Sequence, residues 1–158
     1  MRHIVSSLAI CALSALPAAA QFATLPSPSS PMVFSPAQCG ALQEIQGAVA
    51  TRSAAEIERI GAAMEANQNA DPADVARISG LSLPTVTTIG RLSQQEGMVF
   101  SLTFGSMLRH YHPDLLTKVL RERGPLGQVP DVTNNPFGMA LLDGLMTSAQ
   151  EAYLSQCG

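Results

Sequence analysis

The sequence has no tryptophan, and only 13% of its residues are charged. Together these give no hint of a carbohydrate site. Gly-x-Ser-x-Gly, a helical His-Glu-x-x-His, a phosphate-cradling glycine loop and a Ser-His-Asp order are all missing, and with them the spacings of common hydrolases and nucleotide enzymes. No Cys-x-x-Cys pair occurs, so the usual redox motif is excluded. No internal repeat is visible. Beyond residue 20, no apolar run reaches the roughly 17 residues that a membrane-spanning helix needs. No paired carboxylates stand at a telling spacing. Glu56 and Asp143 illustrate a pair that only the fold could assemble.

What is present begins with an export signal. Arg2 gives a positive front, residues 4–16 form an uncharged apolar run, Pro17 breaks it, and Ala18, Ala19 and Ala20 offer small side chains to a signal peptidase. Cleavage is expected after Ala20, with the mature protein in the periplasm or outside the cell. Cys11 does not fit a lipoprotein signal, because Ile10 before it is too bulky. Losing residues 1–20 removes Arg2 and leaves eight basic against twelve acidic side chains, a net charge of −4. A mildly acidic chain does not favour a nucleic-acid partner. Residues 21–35 are rich in proline and serine and read as a flexible leader. Residues 36–158 then form one domain of ordinary size.

That domain reads as helices throughout. Ser35-Pro36-Ala37-Gln38 is a capping box, with Leu42, Ile45 and Val49 following on one face. Ser53-Ala54-Ala55-Glu56 is a second box, followed by Ile57, Ile60, Ala63 and Met64. Residues 98–112 are the most apolar piece, with Phe100, Phe104, Met107, Leu108 and Tyr111 at helical spacing. They are expected at the centre of the core, their methionines as gap fillers. Leu115, Leu116, Val119 and Leu120 mark a short helix. Asn135 caps a last one, whose inner face carries Met139, Leu142, Leu145, Met146, Ala149 and Tyr153. The expected class is all-α: a compact bundle of six to seven short helices.

Residues 71–97 carry the sharpest local pattern. Asp71 caps a helix starting at Pro72, Gly80 stops it, and Ser82 caps a second helix ended by Gly97. Ala76, Gly80, Val86 and Ile89 stand at the intervals of a helix-turn-helix, and over about 20 residues the stretch resembles that of bacterial repressors. The resemblance implies a DNA-binding regulator, its apolar start serving as a membrane anchor. Leu83, Thr85, Thr87, Thr88 and Arg91 would then face the groove. Against this, Arg91 is the one basic residue of the second helix, while Asp71, Asp74 and Glu96 are acidic.

Cys39 and Cys157 are the mature chain's two cysteines, at its two ends. In an exported chain of this size they are expected to form a disulfide that joins the first and last helices. His110 and His112 are its only histidines, and they are the candidates for metal or haem handling. At a helix end they point to different sides, so the expectation is junction histidines and no bound cofactor. Arg109, Lys118, Arg121 and Arg123 gather nearby. Three of them close a helix, where cations offset the macrodipole. The sequence thus predicts an exported, non-enzymatic module that binds an unspecified protein or small molecule.

Overall fold

The structure, a computed structural model, describes residues 32–67, 69–123 and 135–158. The expected signal segment with its Ala20 cleavage site, most of the expected leader and residues 124–134 lie outside the described residues. Six helices follow in order: α1 (Pro36–Thr51), α2 (Ala54–Ala66), α3 (Pro72–Ser79), α4 (Leu83–Tyr111), α5 (Pro113–Arg123) and α6 (Pro136–Cys157). No strand occurs among the described residues. The protein is all-α and compact.

The helix starts follow from local chemistry. Ser35 and Ser53 each form a complete capping box, with Gln38 and Glu56 returning the bond to the cap backbone. Asp71 accepts from the Asp74 N–H, Ser82 Oγ from the Thr85 N–H, and Asn135 Oδ1 from the Phe137 and Gly138 N–H groups. Each bond satisfies an amide that the helix itself leaves unpaired. Gly80 ends α3 at φ 66°, the left-handed conformation that side chains with a Cβ resist.

The helix break expected at Gly97 falls one residue earlier. α4 is two helical segments joined across a kink at Glu96, whose backbone (φ −140°, ψ 50°) leaves the helical region. With α4 taken as one run, six helices occur among the described residues, within the six to seven expected.

The long α4 is the centre of the bundle, packing on α1, α3, α5 and α6. Leu42, Ile89 and Leu92 are almost wholly removed from water. Burial of that kind stabilises by about 1.5–3 kcal/mol per large aliphatic side chain. Residues 98–112 supply Phe100, Leu102, Met107 and Leu108 to this core, as expected. At the crossing of α4 with α6, a Cβ on Gly105 would stand 3.1 Å from Met146 Sδ, so glycine permits the close approach.

Two polar arrangements tie α6 in place. The Arg109 guanidinium donates to the Asp143 carboxylate and carbonyl, to Thr147 Oγ1 and to Gln150 Oε1. Tyr153 Oη donates to Gln46 Oε1 (2.6 Å), and Gln46 Nε2 donates to Tyr111 Oη (3.3 Å). Burial pushes the Tyr153 phenol above its ordinary value. The Cys39–Cys157 disulfide closes the far end, with Cα atoms 5.1 Å apart. Beside it Gln156 donates to the Met32 carbonyl and accepts from the Phe34 N–H, while Phe34 packs edge-on against Tyr153. Residues 32–35, the end of the expected leader, are therefore held against α6.

Candidate functional site

The expected histidine pair is not a constellation. His112 is the C-cap of α4, and its Nε2 lies 2.9 Å from the Val49 carbonyl of α1. His110 is exposed on α4 and packs edge-on against Tyr111. Among the described residues, no three His, Cys, Asp or Glu side chains gather closely enough to hold a metal. Glu56 and Asp143 are engaged separately, with Ser53 and Arg109.

The helix-turn-helix stretch is built differently from its resemblance. Thr85, expected to face a groove, is buried, and its Oγ1 donates to Glu44 Oε2 (2.5 Å). The Ser82 N–H and Oγ donate to the same carboxylate, at 2.5 and 2.6 Å. Glu44 thus places a negative group where the amides of α4 would otherwise meet a phosphate. These bonds hold its pKa below the ordinary glutamate value, with the Ser82 hydroxyl contributing most and Thr85 next. Leu83 and Arg91 are exposed, and Thr87 and Thr88 are half-buried.

The concavity with the clearest chemistry lies under α2. A cavity of about 70 Å³ opens between α2 and the face formed by α1, α3 and α4. Ile57, Ile60, Gly61 and Met64 form the α2 wall. Ile45, Ala48 and Val49 line it from α1, Val75 from α3, and Ile89, Phe100 and Phe104 from α4. Ile60, Met64, Phe104 and Ala48 are only half-buried, so the cavity reaches the surface as a cleft. Ser79 and Arg52 also line it, yet the surface that the cleft presents is apolar throughout. Ser79 Oγ is satisfied by the Val75 carbonyl (2.7 Å).

No family model matches this chain, and no curated protein or solved structure matches it either.

Arg52 is the one charged side chain on the cleft. It ends α1 and reaches across to α3, where Nη1 donates to the Ser79 carbonyl (2.6 Å). A cation there suits the negative end of α3. A guanidinium has five N–H donors. No other protein acceptor meets them among the described residues, and no carboxylate lies within ion-pair distance. Glu56 feels the Arg52 charge, but its carboxylate is held by the Ser53 N–H and Oγ, which chiefly lower its pKa.

The α2 wall packs on α3, and the Lys118–Glu58 ion pair (2.9 Å) links it to α5. Both side chains of that pair are close to half exposed, so solvent screens it. Exposed apolar side chains also occur on α6, where Phe137 is 79% and Leu141 46% exposed.

Sequence reading found Ile57, Ile60 and Met64 as a helix face and Gly80 as a stop. It missed Arg52 and Glu44, whose partners lie 27 and 38 or more residues away.

Proposed function

We propose that this protein is an exported, non-enzymatic binding module that takes small apolar molecules into the cleft beneath α2. One observation carries the reading: an apolar cleft that reaches the surface between α2 and the face formed by α1, α3 and α4. Binding sites for small molecules are concave, mostly apolar and marked by a few placed polar groups. The signal-like residues 1–20 and the Cys39–Cys157 bond support export, since such bonds persist in oxidising compartments. No described helix is long and apolar enough to cross a membrane.

The test uses 1-hexanol, a neutral probe, followed by thermal shift and titration calorimetry. Saturable binding by the disulfide-bonded protein is expected. Ala48→Leu should fill the cleft and abolish it without lowering the melting temperature. Absence of binding, or binding untouched by Ala48→Leu, would remove the cleft from the account. Intact-mass spectra of cell fractions test export: a chain starting at Gln21 is expected outside the cytoplasm, and a full-length cytoplasmic chain would contradict it.

A further inference from the structure

We infer that the cleft recognises a terminal alkyl group, taken in tail first, and is indifferent to the headgroup left in solvent. The inference rests on the proposed binding role and names its ligand class. Two side chains of the lining can donate a hydrogen bond, and both are engaged at the end of α3. Ser79 Oγ donates to the Val75 carbonyl (2.7 Å) and accepts from the Leu81 N–H (3.3 Å). Arg52 Nη1 donates to the Ser79 carbonyl, and Nη2 lies against Gly80, where a Cβ would stand 2.8 Å from it. The surface that the cleft presents is apolar throughout, so a hydroxyl, amine or carboxylate taken inside finds no partner.

This exclusion of polar groups sets the direction of entry. Val49, Val75 and Ile89 are buried, while Ile60, Met64 and Phe104 are half-buried and stand at the opening. A chain that enters methyl first buries hydrocarbon on hydrocarbon and keeps its head in water. The reverse orientation strips the head of water with no hydrogen bond in exchange. Volume sets how much of the chain enters. The cavity, about 70 Å³, is roughly half the ~150 Å³ apolar cavity known to take up benzene, so about three carbons fill it. Carbons beyond those lie along Ile60 and Met64 at the opening.

Four probes, titrated in parallel by calorimetry at pH 7 and about 0.15 M salt, separate tail from head. 1-Hexanol, hexanoate and hexylammonium share one methyl end. They should bind within about threefold of one another, because their heads stay in water and salt screens distant charges. 1,6-Hexanediol carries a hydroxyl at both ends and must bury one without a partner. It should bind about tenfold or more weakly than 1-hexanol. Ala48→Leu should abolish binding of the three methyl-ended probes together. The comparison among probes is made on the unaltered protein, so it does not depend on any variant folding. A diol that binds within about threefold of 1-hexanol, or a charged probe that departs from 1-hexanol by about tenfold, would overturn the inference and leave the apolar cleft standing. Failure of 1-hexanol itself to bind would overturn the binding role.

Discussion

Replacing Gly80 with alanine tests how α3 is closed and how Arg52 is held. Gly80 sits at φ 66°, where a Cβ costs roughly 1–2 kcal/mol. The new Cβ would also stand 2.8 Å from Arg52 Nη2, inside any ordinary contact. Arg52 is flexible, so it swings away and its bond to the Ser79 carbonyl is lost. That bond is charge-assisted but only partly buried, which puts its net worth at about 1 kcal/mol. Gly80→Ala should therefore destabilise by about 2–3 kcal/mol in urea unfolding. Arg52→Ala alone should cost about 1–2 kcal/mol through the lost bond and the lost cover of its stem. The double variant should fall short of the summed losses by about 1 kcal/mol, because the same bond cannot be lost twice. Gly80→Ala costing under about 0.5 kcal/mol, or strict additivity in the cycle, would refute this reading of the turn.

Other outcomes follow from the same structure. Removing the disulfide by Cys39→Ser with Cys157→Ser should cost on the order of 4–5 kcal/mol, since the bond closes a loop of 118 residues; unchanged urea midpoints would show that it constrains little. Glu44 titrates below its ordinary value of 4.5, so its stabilising effect is complete above that pH and drains away as pH falls through the folded value. Glu44→Gln should flatten stability against pH on the acid side in part only, because Glu56 is also lowered; an unaltered acid limb in pH-dependent melting would exclude the Glu44 contribution. Arg109→Met should cost about 1–2 kcal/mol, whereas Asp143→Asn should cost under about 0.5, because Thr147 and Gln150 still accept from Arg109. Equal losses in urea unfolding would mean that the exposed ion pair dominates the clamp.

The parts of this fold that were legible in sequence are those decided within a few residues. Ser35, Ser53, Asp71, Ser82 and Asn135 all cap the helices expected of them, because each bonds an amide two or three positions on. Helix faces were legible for the same reason: Leu42, Ile45 and Val49 repeat at helical spacing and are buried together. The disulfide needed only compartment and parity. What stayed hidden depends on distant partners. Phe34 lies in the stretch that reads as a flexible leader, but its ring meets Tyr153 near the other end of the chain. Thr85 looked exposed on a groove-facing helix until Glu44, 41 residues earlier, proved to cover it. Arg52 carried no motif at all. Its role emerges only when the ends of α1 and α3 are brought together over an apolar hollow.

The most direct test of the account is to find where a bound alkyl chain lies. Intermolecular NMR contacts between saturating 1-hexanol and the protein's methyl groups would place it. Contacts to Ile57, Ile60 and Met64, lost on Ala48→Leu, are the predicted result. Contacts confined to Leu141 and Phe137, exposed on α6, would contradict it and move the binding site to that helix.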